Sequence, residues 1–142
     1  MFKSILVPLD LNAREASLRA LPIAVELARN HGAELHVMTV VPEFGMPIVA
    51  DKFPKGYEKH ALLAAQEELQ KIADKEIPEG FSRKIHIAHG SIYKEIISQA
   101  EKLGCDLIVM ASHRPELSDY LLGPNAARVV RHARQSVMVV RE

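Results

Sequence analysis

The last third of the chain carries the stretch that decides the fold, DLIVMASHRP at residues 106–115, followed by GPNAA at 123–127 and VMVVR at 137–141. An apolar run ends there in a short polar loop, a helix start follows, and another apolar run comes after it. This alternation is typical of a parallel sheet that is covered by helices. In open sheets of that kind, ligands bind just beyond the carboxyl ends of the strands, where helix N-termini favour anions. This segment is therefore the first candidate for a functional site.

The same alternation continues through the rest of the sequence. Short, β-branched apolar runs predict strands at Lys3–Leu9, Glu34–Val41, Lys84–His89, Asp106–Ala111 and Val137–Arg141. Helical spacing of apolar residues predicts helices that begin near Asn12, Glu58, Ser91 and Pro124 and end near Gly32, Lys75, Gly104 and Ala133. The first of these starts is predicted from a capping box, Asn12 with Glu15. The fold class is α/β with an open five-stranded parallel sheet, in which right-handed crossovers leave few topologies.

Composition limits the classes of function. The length predicts one domain over residues 1–142, and the 18 basic side chains balance the 18 acidic ones without forming blocks. Neither a nucleic-acid surface nor a membrane span is indicated, and we expect a cytoplasmic protein because no signal peptide is recognisable. Cys105 is the only cysteine, so an intrachain disulfide is impossible, and its position before a strand favours a packing role.

The polar residues that follow two of the predicted strands are candidates for ligand binding. Asp10 comes directly after the first strand, where a carboxylate often meets a ribose hydroxyl or a metal; the alternative is that it begins the cap of the first helix. Ser112, His113 and Arg114 follow the fourth strand and could donate to phosphate oxygens; the alternative is a solvated loop.

The start of the last predicted helix extends this second group. Gly123 would let an anion approach the backbone closely, and the side chain of Asn125 could replace the N–H that Pro124 lacks. No Walker motif, nucleophile elbow or zincin motif occurs, so no residue is assigned to catalysis. A metal site is disfavoured because His86 and His89, three residues apart on one strand, point to opposite faces and the other histidines are scattered.

The sequence resembles the universal stress protein family over essentially its whole length. The stretches that carry the resemblance are ILVPLD at 5–10, TVVP at 39–42, HG at 89–90, DLIVMASH at 106–113, LLG at 121–123, ARVVRHA at 127–133 and VMVV at 137–140. The family implies the strand order 3-2-1-4-5, with the helices arranged as in adenine-nucleotide alpha hydrolases. That order brings Asp10 close to the loop between residues 111 and 125.

By this resemblance, the chain would bind ATP or AMP, with Mg²⁺ held through the phosphates only. Nucleotide-binding members carry Gly-x-x-Gly, nine residues, then Gly-Ser or Gly-Thr, whereas this chain has Ala111, Arg114, an eight-residue spacing, Gly123 and Pro124. The site residues that the resemblance implies are Val40 beside the adenine, Pro8 and Asp10 at the adenosine, Met110 and Ala111 along the pocket, and Ser112, His113, Arg114, Gly123 and Asn125 around the phosphates.

Three functions stay open at this point. The first is a stress-response module that binds ATP or AMP and changes its contacts with a protein partner accordingly. The second is a nucleotide-free interaction module, and the third is a weak ATP hydrolase. In each case we expect a homodimer joined through Val137–Val140, because an apolar edge strand invites pairing with a second copy. The alternative is an edge that Arg134, Arg141 and Glu142 protect.

Overall fold

Five strands and four helices alternate along the part of the chain that this computed structural model describes, residues 1–42, 56–112 and 123–141. Their bounds are β1 Ser4–Pro8, α1 Arg14–His31, β2 Glu34–Pro42, α2 Tyr57–Glu76, β3 Lys84–Gly90, α3 Ile92–Lys102, β4 Leu107–Ala111, α4 Pro124–His132 and β5 Ser136–Val140. Every element predicted from the sequence is present, and its ends differ from the prediction by a few residues at most.

The strands form one parallel sheet in the order β3-β2-β1-β4-β5, which confirms the topology implied by the resemblance. In the centre, Ile5 of β1 is in register with Leu35 of β2 on one side and with Leu107 of β4 on the other. After β1 the chain therefore adds β2 and β3 on one side of this strand, and it later adds β4 and β5 on the other side. The carboxyl ends of β1 and β4 mark the switch point of the sheet, where loops diverge and leave space.

Alternate residues of each central strand point to opposite faces of the sheet, so two cores form. Ile5, Val37 and Val109 pack with α1 and α2, and Leu6 and Ile108 pack with α3 and α4. All five of these side chains are fully buried. Burial on both faces explains why the strands read as continuous apolar runs.

The first helix starts later than its capping box predicts. Its N-cap is Ala13, and the backbone N–H of Asn12 donates to Oδ1 of Asp10 at 2.9 Å. The prediction that Asn12 caps the helix with Glu15 is therefore wrong. An aspartate that accepts from the N–H two residues ahead favours a turn over a helix, and that turn delays the helix.

At the amino end of the sheet, the carboxylate of Asp106 joins the start of β4 to the start of β1. It accepts the backbone N–H groups of Lys3 at 3.0 Å and of Ser4 at 3.1 Å. Burial by itself would raise the pKa of Asp106, but these backbone hydrogen bonds hold that pKa below its ordinary value.

Within the described residues, no helix is both long and apolar enough to cross a lipid bilayer.

Candidate functional site

A cavity of about 410 Å³ lies at the carboxyl ends of the central strands. Its floor is formed by the ends of β1, β2 and β4, and its rim by the first turns of α1 and α4. Residues Ala61, Ala64, Ala65 and Glu68 of α2 and Ile92 and Ile96 of α3 complete the described walls. This is the position that the switch point of an open α/β sheet provides for a ligand.

Seven of the ten predicted site residues line this cavity: Pro8, Asp10, Val40, Met110, Ala111, Gly123 and Asn125. Ser112 is buried, is not among the described lining residues, and donates its backbone N–H to the carbonyl of Val140 at 3.0 Å. That N–H serves the β4–β5 pairing, so only the hydroxyl of Ser112 is left to meet a ligand. His113 and Arg114 lie outside the described residues.

Two hydroxyl groups hold the end of β1 in place. Thr39 of β2 donates through Oγ1 to the carbonyl of Leu9 at 2.8 Å, and its side chain is buried. Ser17 of α1 accepts the backbone N–H of Asp10 at 2.8 Å and donates back to the carbonyl of the same residue at 3.2 Å. Asp10 is thus fixed by its backbone from both sides while its side chain is exposed at the cavity.

The carboxylate of Asp10 shapes the turn before α1 and also borders the cavity. One oxygen, Oδ1, accepts from Asn12 and shapes the entry to α1. The side chain also borders the cavity, and a carboxylate has two oxygens with several acceptor positions. The residue that shapes the turn can therefore also accept a hydrogen bond from a ligand hydroxyl.

The N-terminus of α4 faces the opposite side of the same cavity. Gly123 is its N-cap without a side-chain cap bond, Pro124 is the first helical residue, and the first turn carries no acidic residue. The first N–H groups of a helix have no partner inside the helix, and the macrodipole there attracts anions. This end of the cavity therefore favours a negatively charged group, with one donor fewer because of Pro124.

Sequence reasoning missed the residues that position the site. The sequence pattern presents Thr39 as one residue of an apolar strand and Ser17 as one residue of a helix; the signal for their role is a hydroxyl at an otherwise apolar, inward position, which needs a specific hydrogen-bond partner. The reading of the histidines was also incomplete, because His36 and His86 lie in direct contact. His86 and His89 do point to opposite faces, since Nδ1 of His89 lies 3.0 Å from Glu58 of α2.

The described residues include potential metal ligands and the thiol of Cys105. Among the described residues, no three His, Cys, Asp or Glu side chains converge in a way that could hold a metal ion. Cys105 is buried and lies 3.4 Å from Oγ of Ser4, in agreement with its predicted packing role. Burial raises the pKa of the Cys105 thiol, which makes it a poor nucleophile.

Comparison with known sequences identifies the family of this chain. The model of the universal stress protein family matches residues 1–141. The chain belongs to the universal stress protein family. Universal stress protein G of Shigella flexneri is 34% identical over 144 residues, which covers 99% of this chain and 100% of that protein.

Solved structures show the same fold. The structure of hypothetical protein MJ0577 has a TM-score of 0.77 and 26% identity, and the match covers 100% of this chain and 97% of that one. A universal stress protein in complex with cAMP has a TM-score of 0.70 at 19% identity, covering 98% of this chain and 97% of that one. A universal stress protein of Archaeoglobus fulgidus in complex with dAMP has a TM-score of 0.60 at 20% identity, with 96% of both chains covered.

Proposed function

We propose that this universal stress protein is a regulatory module that binds ATP or AMP and changes its contacts with a protein partner when the nucleotide is bound. The observation that carries the proposal is the 410 Å³ cavity at the switch point, lined by Asp10 on one side and by the start of α4 on the other. Two proteins of the same fold hold cAMP and dAMP, which supports an adenine nucleotide as the ligand. The cytoplasmic location stays a prediction from the sequence.

The predicted site residues at the carboxyl ends of the strands would hold the adenosine part of the nucleotide. Val40 and Met110 offer apolar surface to the adenine, and Pro8 lies beside the adenosine. The carboxylate of Asp10 accepts a hydrogen bond from a ribose hydroxyl. Ala111 replaces a family glycine and adds one methyl group to the wall.

The phosphates would lie against the start of α4. The N–H groups of its first turn, which have no partner within the helix, and the positive end of its dipole attract them, and Gly123 has no side chain to obstruct their approach. The side-chain amide of Asn125 and the hydroxyl of Ser112 add donors, and His113 and Arg114 follow in the loop after β4. Mg²⁺ would be held through the phosphates only, because no described cluster of protein ligands is available for it.

Calorimetric titration of ATP, AMP and GTP into the purified protein tests this function. Saturable binding of ATP or AMP is expected, and Asp10→Ala should weaken it by about 1–3 kcal/mol because a hydrogen bond to a charged group is lost. Glu26→Ala is the matched control, since it removes an exposed carboxylate from the middle of α1. Wild-type protein that binds neither nucleotide at millimolar concentration would support the nucleotide-free module instead, and phosphate release from bound ATP would support the hydrolase.

A second proposal concerns the homodimer. β5 is an edge strand in which Met138 is 38% exposed, while Val137, Val139 and Val140 are only partly buried. Antiparallel pairing of β5 with a second copy about a two-fold axis would satisfy both edges and cover these side chains.

Sedimentation of the wild type and two variants tests the dimer. Met138→Pro should abolish the pairing because proline removes a backbone donor and disrupts the strand, whereas Met138→Val keeps the donor and should still dimerise. A wild type that sediments as a monomer at tens of micromolar would contradict the proposal. A folded Met138→Pro variant that stays dimeric would show that the interface lies elsewhere.

A further inference from the structure

Two histidines from neighbouring strands form a hydrogen-bonded pair on the face of the sheet that α3 covers. Nδ1 of His36 in β2 lies 2.9 Å from Nε2 of His86 in β3, and the ring centroids are 5.1 Å apart. His36 is 2% exposed and shares its face with Met38, which is in register with His86. The pair lies near the amino end of the sheet, away from the cavity, so the function proposed above does not involve it.

The hydrogen bonds of this pair allow one arrangement of protons when both rings are neutral. The second nitrogen of His36, Nε2, lies 3.3 Å from Oε2 of Glu34. A carboxylate only accepts, so His36 donates through Nε2, and its Nδ1 must then accept from the Nε2–H of His86. In this arrangement every contact is satisfied, and the proton-free Nδ1 of His86 is left on the outer side of the pair.

A first proton does not break this arrangement. With Nδ1 of His86 protonated, the Nε2–H of His86 still donates to the proton-free Nδ1 of His36. A further proton on Nδ1 of His36 would set N–H against N–H and remove the hydrogen bond between the strands. The closed strands can therefore accommodate one proton on the pair but not two, whereas separated strands can take up both.

The surroundings of the pair also disfavour a proton on His86. Burial first, then the charge of His36, then that of Lys84 hold the pKa of His86 below its ordinary value of 6.5. The ionisable groups of α3, which packs on this face, are not placed to raise the pKa of His86 again. Lys94, Glu101 and Lys102 are exposed, and Glu95 packs against Gly90 at the far end of β3. The carboxylate that contacts the pair is Glu34, whose side chain is 63% exposed and therefore strongly screened.

We propose that the His36–His86 pair is a proton-sensitive tie between β2 and the edge strand β3, which loosens β3 as the pH falls below neutral. Among the described strands β3 pairs with β2 alone, so the loss of a cross-strand contact acts on β3 before it acts on the centre of the sheet. An edge strand with fewer buried contacts is also the kind of element that opens locally without global unfolding.

The sign and size of the effect follow from linkage. The closed strand holds His86 neutral, whereas in the opened strand His86 titrates at its ordinary pKa and takes up a proton below about pH 6.5. Opening is therefore favoured by up to about tenfold for each pH unit below that value, until the pKa of the closed form is reached. Above about pH 7 both forms are neutral, and the opening of β3 no longer depends on this pair.

Amide hydrogen exchange, corrected for the intrinsic pH dependence of the chemistry, tests the proposal. The β3 amides of residues 85–88 should lose protection between about pH 7.5 and pH 5.5 by up to about tenfold per pH unit below pH 6.5, while residues 5–7 of β1 keep theirs. His86→Gln should remove this pH dependence, because glutamine donates to Nδ1 of His36 and does not titrate in this range. His60→Gln, which removes an exposed histidine from α2, is the matched control and should leave the dependence as in the wild type.

A second measurement keeps the proposal testable if His86→Gln does not fold. An NMR titration of the histidine ring protons in the wild type should show His86 titrating below its ordinary pKa of 6.5. A pKa at or above that value, equal loss of protection in β1 and β3, or an unchanged pH dependence in folded His86→Gln would each overturn the proposal.

Discussion

The hydroxyl of Thr39 is expected to hold the candidate site in shape, and Thr39→Val measures its contribution. The substitution preserves the size and the β-branched shape of the side chain, but it leaves the Leu9 carbonyl without the hydrogen bond that Thr39 donates at 2.8 Å. Because Thr39 is 2% exposed, water cannot easily replace the donor. A buried polar group that loses its partner costs about 1–3 kcal/mol of unfolding free energy.

Thermal and urea unfolding measure this cost. A protein of 142 residues has an unfolding entropy of roughly 0.3 kcal/mol per degree, so the expected loss lowers Tm by about 3–10 °C. The carbonyl of Leu9 immediately precedes Asp10, so the amide of Asp10, which donates to Ser17, should also exchange faster in Thr39→Val.

Thr39→Ser is the control for the hydroxyl. It keeps the donor and removes one buried methyl group, which should cost about 0.8 kcal/mol, but it should preserve the protection of the Asp10 amide. If Thr39→Val unfolds within about 0.5 kcal/mol of the wild type and the Asp10 amide stays protected, the hydroxyl does not hold the site and the reasoning fails.

Three further predictions concern other parts of the molecule. Asp106→Ala removes the acceptor of the Lys3 and Ser4 N–H groups and should lower the unfolding free energy by about 1 kcal/mol near neutral pH. Because the pKa of Asp106 is lowered in the folded protein, this difference should be present above the ordinary carboxyl pKa and should shrink as the pH falls. A difference between variant and wild type that persists in acid would contradict the account. Cys105 is buried with a raised thiol pKa, so a thiol reagent should label it only as fast as the protein opens, and rapid labelling of native protein would be inconsistent with this burial. Arg114→Ala should weaken the binding of ATP more than that of adenosine if Arg114 meets the phosphates, and equal losses in calorimetry would mean that it shapes the loop instead.

Much of the fold could be predicted because it depends on short-range patterns. A short, β-branched apolar run such as residues 5–9 favours a strand that is buried on both faces, and the alternation of such runs with helical spacing indicates a parallel sheet. The resemblance added the strand order, which predicts that Asp10 lies close to the loop that ends at residue 125, and Asp10 and residues 123–125 line one cavity. The start of α1 was predicted incorrectly because two local motifs compete for the same residues, and the turn at Asp10 prevails over the capping box at Asn12.

The sequence by itself determined the type and order of the elements, the two-sided burial of the central strands and the edge of the sheet where a ligand would bind. The tertiary structure alone decided which polar side chains meet. Thr39 reaches the carbonyl of a residue 30 positions away, and His36 reaches a ring 50 positions away. Such contacts depend on the register between strands that are distant in sequence, and that register follows from the faces that the assembled strands bury together, so the pattern of one strand does not show which residue will lie beside it.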